Sequence, residues 1–188
     1  MALKLNTILV STRPGRIGDK IAAWFDAFAK RHGAFETSLV DLADFKLPIF
    51  DEPHHPRMGN YQHAHTKALS AAMNGADAFV FVTPEYNFSA PPSLVNAIGY
   101  LWKEWNYKAA GIVSYGGLSG GLRAAQSERL LLSTMRMMPI PEGVAIPFAS
   151  KLIDANGSFT PHESTESSAK TMLDELARWA GALKPLRG

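Results

Sequence analysis

Leu5-Asn6-Thr7-Ile8-Leu9-Val10-Ser11-Thr12-Arg13-Pro14-Gly15-Arg16-Ile17-Gly18 changes character at Val10, where a short apolar run gives way to hydroxyls, arginines and glycines. An amphipathic stretch then runs from Asp19 to Arg31. The order reads strand, loop, helix. A loop at the C-terminal end of a first parallel strand aims backbone N–H groups and a helix N-terminus at one spot, which attracts an anion. Ser11 and Thr12 add hydroxyl donors, and Arg13 and Arg16 add guanidinium forks matched to phosphate. Gly15 and Gly18 let the backbone approach closely. A phosphate monoester is the guest such a loop suits. The same residues also read as a solvated connection whose arginines face water, and the stretch alone leaves both readings open. It contains neither the G-x-x-x-x-G-K-[ST] of a P-loop nor the first glycine of G-x-G-x-x-G.

Further along, Phe35–Asp41 reads as a second strand, and a proline-punctuated connection from Leu42 to Tyr61 carries His54 and His55. A loop of that length in a compact domain is usually a rim or lid. Tyr61–Gly75 has helical spacing, with Ala64, Ala68, Ala71 and Ala72 expected against a sheet. Ala78–Val82 is continuously apolar, as in a strand covered on both faces. The polar, proline-stiffened loop Thr83–Pro92 follows, and then a helix over Leu94–Trp105 whose inward face is Leu94, Val95, Ile98, Leu101 and Trp102. Ala109–Tyr115 is a fourth strand running into Gly116–Gly121. A helix is expected from Leu122 to about Met137, ended by Pro139, with a fifth strand over Ile140–Phe148. The closing helix, Glu163–Leu183, places Met172, Leu173, Leu176, Trp179 and Leu183 inward.

The 188 residues, 46% hydrophobic and 19% charged, fit one domain spanning 1–188 with a sizeable core. A formal charge of +2, from 19 basic and 17 acidic residues, is too mild for a nucleic-acid partner. Without cysteine, thiolate metal sites, iron–sulfur clusters and cysteine catalysis are excluded, so redox chemistry must come from an organic cofactor or a non-thiolate metal. No signal-peptide layout and no long apolar run are present, and the expected location is cytoplasmic, without a membrane partner.

Strands alternating with helices imply an α/β fold, a three-layer sandwich around a five-stranded parallel sheet with right-handed crossovers. A flavodoxin-like order of 2-1-3-4-5 sets the loops after the first, third and fourth strands side by side at the switch point. Those are the three loops richest in chemistry here.

These residues resemble the NAD(P)H-dependent FMN reductases of the flavodoxin-like superfamily, which also includes quinone, azo-dye and chromate reductases. The motifs that carry the resemblance are Ser11–Arg16, Pro84-Glu85-Tyr86-Asn87, Leu94–Ile98 and Ser114-Tyr115-Gly116-Gly117, spread over roughly the first 150 residues. The resemblance implies non-covalent FMN, with NADPH or NADH as co-substrate and a free flavin, quinone or other small molecule as acceptor. It implies phosphate held by the loop of Ser11, Arg13, Arg16, Ile17 and Gly18, and the isoalloxazine against Pro84, Glu85, Tyr86 and Asn87. The pyrimidine edge then lies near Ser114, Tyr115, Gly116 and Gly117. It also implies a homodimer or homotetramer. The chain departs from the pattern at Val10 and Phe88, where glycine often stands, and at Gly99 and Tyr100, where an acidic residue and tryptophan are common.

Hydride transfer is the flavin's own chemistry, so no catalytic side chain and no metal are expected. Glu85 reads as a loop-fixing carboxylate, the N–H groups of Gly116 and Gly117 as dipoles for the ring's N1 edge, and the Tyr86 and Asn87 backbone as partners near N5. His54, His55, His63 and His65 read as rim residues. Trp102, Trp105, Met135 and Met137 read as core or interface. The rival functions are a flavodoxin-like electron carrier, disfavoured by the missing acidic excess, and a non-catalytic flavin-binding regulator.

Overall fold

The structure, a computed structural model, describes residues 2–187. Strands β1 (Leu3–Leu9), β2 (Phe35–Asp41), β3 (Ala78–Pro84), β4 (Ala109–Tyr115) and β5 (Met138–Ile146) pair in parallel in the order 2-1-3-4-5. The expected flavodoxin-like topology is therefore present. Every residue of β3 and β4 is buried because both faces of the sheet are covered. Ala78, Val80 and Val82 face α1 (Gly18–His32) and α5 (Glu163–Leu183), meeting Ile21, Phe25, Met172 and Leu176. Phe79 and Phe81 point the other way, toward Leu69 and Met73 of α2 (Ala64–Asn74), Leu94 and Ile98 of α3 (Pro92–Tyr100), and Leu132 of α4 (Leu122–Thr134). Fully burying side chains of this size stabilises by about 1.5–3 kcal/mol each, so these two layers hold the sheet edge that positions the loops.

Several boundaries differ from the sequence expectation, each for a local reason. α2 starts at Ala64 rather than Tyr61, because Glu52 accepts the Gln62 and His63 amides at 2.7 and 3.0 Å while Tyr61 Oη donates to Glu104 at 2.9 Å. Its buried face is Thr66, Leu69 and Met73, and Ala64, Ala68 and Ala71 face water. Larger apolar volume wins the core over small size. α3 stops at Tyr100, where Leu101 turns extended (φ −124°, ψ 165°), and Val95 is left exposed. α4 ends at Thr134, and Arg136 turns the chain with φ 57° so that β5 begins at Met138. Pro139 lies inside that strand, which is tolerated because β5 is an edge; the register slips between Ala110 and Ile112 opposite the prolines. On α5, Trp179 faces outward and Ala180 takes the inward position.

The long connection after β2 is stitched down. Asn96 donates to the Pro48 carbonyl at 2.6 Å and accepts the Phe50 amide at 3.0 Å. Asp51 accepts from Tyr100 Oη at 2.9 Å and lies 3.0 Å from His65 Nε2.

Candidate functional site

Because all five strands run the same way, their C-terminal loops share one edge of the sheet. There a cavity of about 250 Å³ opens between them. Ser11, Arg13, Arg16 and Ile17 enter from the loop after β1, and Pro84, Glu85 and Tyr86 from the turn after β3. Tyr115, Gly116 and Gly117 come from the end of β4, and Phe148 and Ser150 from the loop after β5. The structure thus gathers most of the sequence-predicted set in one place. Gly18, Asn87 and Ser114 are not among the lining residues.

At one end Ser11, buried at the tip of β1, has its Oγ 2.8 Å from Tyr86 Oη. Burial pushes the Tyr115 phenol well above its ordinary value, and its neighbours include Ser11, Tyr86 and Arg16. Three hydroxyls therefore converge on the mouth of the first loop. Arg13 is exposed and its guanidinium has no partner among the described residues. Arg16 differs: it forks onto the Asp41 carboxylate and donates to the Ser11 carbonyl, so it ties the loop to the end of β2 rather than facing water. The N-cap of α1 is Ile17, which has no side chain able to satisfy the first-turn N–H groups. Gly15 turns the loop with φ 69°. Gly18 serves packing, since a Cβ there would collide with Tyr115 Oη.

The turn after β3 is braced from α4. Glu85 Oε1 accepts Arg123 Nε at 2.8 Å, and Oε2 accepts Ser119 Oγ at 3.0 Å and the Arg123 amide at 3.1 Å. Burial pushes this carboxyl up, but the Arg123 and Ser119 bonds outweigh it and hold it below the usual range, so it remains ionised. Glu85 fastens loops, as its setting in the sequence implies. Tyr86 and Ser89 exchange backbone bonds at 3.2 and 2.9 Å, which occupies the Tyr86 amide and leaves the Asn87 amide without a partner among the described residues. One strand residue earlier, Thr83 Oγ1 donates to Glu128 Oε1 at 2.5 Å.

At the β4 end, the Gly116 amide donates to the Ile146 carbonyl at 3.2 Å, so of the two expected dipoles only the Gly117 N–H is without a partner among the described residues. Ser114 points to the opposite face of the sheet, where its Oγ donates to the Gly120 carbonyl at 2.9 Å and props the loop from beneath. Gly121 (φ 82°) admits no side chain, because a Cβ would lie 2.8 Å from the Tyr115 nitrogen. Phe148 and Ser150 were missed in the sequence; the signal available was that β5, as neighbour of β4, must deliver its loop to the same edge.

Thr12 faces a second, larger hollow of about 780 Å³ walled by Leu42, Leu47, Ile49, Pro92 and Val95. His63, which caps α2, and His65, in its first turn, lie elsewhere and stack at 5.2 Å beside Asp51. Among the described residues no group of three His, Asp or Glu is placed to hold a metal, and no helix is long and apolar enough to cross a membrane. Trp105 belongs to the core, and Met135 and Met137 are buried on the same side.

Residues 3–151 match the NADPH-dependent FMN reductase family. An NAD(P)H-dependent FMN reductase of Schizosaccharomyces pombe is 39% identical over 165 residues, covering 85% of this chain and 82% of its own. One of Saccharomyces cerevisiae is 31% identical over 155 residues, covering 77% and 80%. Among solved structures, the NAD(P)H:(acceptor) oxidoreductase FerB of Paracoccus denitrificans superposes with a TM-score of 0.73 over 96% of this chain and 98% of its own; at 23% identity, that likeness is one of fold. With a family match across all four cavity-lining loops and the sheet order of that fold, the chain belongs to the NADPH-dependent FMN reductase family.

Proposed function

We propose that this NAD(P)H oxidoreductase holds FMN across the cavity at the sheet edge and passes reducing equivalents to a quinone or another small acceptor. One observation carries the reading: a cationic side chain without a partner among the described residues, Arg13, stands beside hydroxyl donors and an uncapped helix N-terminus, at the entrance of a cavity whose other end offers an amide that no described residue engages. The first cluster suits a phosphate dianion. The second suits a carbonyl-bearing ring edge that gains negative charge on reduction. FMN has both, at opposite ends.

Arg13, Ser11 and the first-turn amides of α1 would hold the phosphate. Pro84, Glu85 and Tyr86 would back the ring, with the Asn87 and Gly117 amides at its polar rim. When bound, FMN supplies the hydride-accepting and hydride-donating centre. The chain's own contribution is to orient and exclude water. Pro84 stiffens the contact, the Glu85–Arg123 pair fixes the turn, and Arg16–Asp41 holds the first loop in register. Across one turnover NAD(P)H gives up two electrons and one proton, and a quinone takes two electrons and two protons, the second drawn from water.

The exposed apolar wall at Ile49 and Val95 supports assembly with a second copy. The functional reading is tested by steady-state oxidation of NADPH and of NADH by FMN-loaded protein with a quinone varied. Parallel double-reciprocal lines support two successive half-reactions at one site. Absence of quinone-dependent oxidation would overturn the reading.

A further inference from the structure

Through Ser119 and Arg123, Glu85 draws together at the cavity rim two large exposed apolar side chains, Leu118 and Phe88. Ser119, bonded to its Oε2, adjoins Leu118, which is 82% exposed. Arg123 donates to both its oxygens, while the neighbouring Leu122 lines a separate hollow with Ser114, Gln126 and Arg129. The Arg123 guanidinium lies 3.8 Å over the ring of Phe88, itself 69% exposed. Single apolar side chains facing water are ordinary; two tied into one carboxylate network beside a cavity form a surface made for contact.

Phe88 also stands there against its backbone preference. Asn87 and Phe88 have φ of 48° and 64° in a two-residue turn closed by Tyr86 and Ser89, a setting that favours glycine and strains a bulky side chain. Strain of this kind persists where the surroundings fix it, and it gathers at ligand clamps. Arg123 does the fixing: Nε is committed to Glu85, the guanidinium carbon sits over the Phe88 ring, and Nη1 and Nη2 have no partner among the described residues.

We propose that Phe88 and Leu118, centred on Arg123, form an acceptor-binding rim that selects planar, fused-ring oxidants bearing an anionic substituent. The oxidant's rings stack on the exposed ring of Phe88, an apolar flank rests on Leu118, and Nη1 and Nη2 donate to the anionic group. A single-ring, uncharged quinone is small enough to stay within the cavity and does not engage the rim. This inference rests on the flavin-dependent reduction proposed above.

The test compares kcat/KM for anthraquinone-2-sulfonate and for duroquinone in FMN-loaded wild type, Phe88→Ala and Phe88→Gly, the glycine variant being free of the positive-φ strain. The ratio of the two should fall about five- to tenfold in both variants, with FMN affinity and oligomeric state unchanged. Calorimetric titration of anthraquinone-2-sulfonate into oxidised protein should show a matching loss of affinity. An unchanged ratio in folded Phe88→Gly, an equal fall for both acceptors, or a change of oligomeric state, which would mean that a second copy covers the rim, overturns the proposal. If wild type takes up no FMN, the flavin reading fails separately, and the same titration on the flavin-free protein still decides whether Phe88 contributes to binding.

Discussion

Ser11 Oγ lies 2.8 Å from Tyr86 Oη, so a hydroxyl at the tip of β1 is tied to a phenol 75 residues later, in the turn after β3. These strands are neighbours in the sheet, and the bond closes the crevice between their loops. Tyr86→Phe removes it without changing the ring. Loss of about 0.5–1.5 kcal/mol is expected for one such hydrogen bond, which for a chain of this length lowers the melting temperature of the flavin-free protein by about 2–4 °C per kcal/mol. An unchanged melting temperature by differential scanning calorimetry would show that the bond contributes nothing.

The two arginines of the first loop should separate cleanly. Arg13 has no partner among the described residues, so Arg13→Ala should leave stability unaltered and weaken FMN by about one to two orders of magnitude, the worth of one charge-assisted hydrogen bond of about 1.5–3 kcal/mol. Arg16 is bound to Asp41 and the Ser11 carbonyl, so Arg16→Ala should lower stability as well as affinity. Thermal melts beside FMN fluorescence titrations check both, and a large stability loss in Arg13→Ala would contradict the assignment.

Why the arginines diverge was not legible in the sequence. Arg13 and Arg16 are chemically identical there, and only the parallel pairing of β1 with β2 brings Asp41 to the second of them. The sheet order was legible, because apolar runs such as Ala78–Val82 alternate with amphipathic stretches and carry their chemistry at one end. The amide count was not. Gly116 and Gly117 look equivalent until β5 places the Ile146 carbonyl against the first. Helix ends failed where a remote side chain decided them, as Glu52 does for α2, or where an edge strand tolerated proline at Pro139.

Gly18 tests packing rather than ligand contact. A methyl group there meets Tyr115 Oη and, at 3.0 Å, Leu9 Cδ1. Both are in the core beneath the cavity, so Gly18→Ala should destabilise by about 1–3 kcal/mol through overpacking. Adding Tyr115→Phe should recover part of that loss in chemical denaturation, and failure of the double variant to recover anything would sink the steric account.

Glu128 carries the pH dependence. Burial pushes its carboxyl up to about 8, against the opposing bond from Thr83, and its second oxygen has no partner among the described residues. Between the ordinary value near 4.5 and about 8 the folded chain binds more protons than the unfolded chain, so this group's contribution to stability falls as pH rises through that window. Glu128→Gln removes the dependence. The variant should match wild type near pH 5 and exceed it by a few kcal/mol above pH 8, at roughly 1.4 kcal/mol per pKa unit. Parallel stability-versus-pH curves for the two proteins would show that Glu128 is not the titrating group.

The most direct measurement is an anaerobic absorption titration of the purified protein, first with FMN and then with NADPH and NADH in separate cuvettes. One tightly held FMN per chain is expected, its yellow absorption bleaching on adding either nicotinamide, with a markedly weaker FMN complex for Arg13→Ala. Protein that retains no flavin, or that holds it with undiminished affinity after Arg13→Ala, would contradict the placement of FMN across these loops.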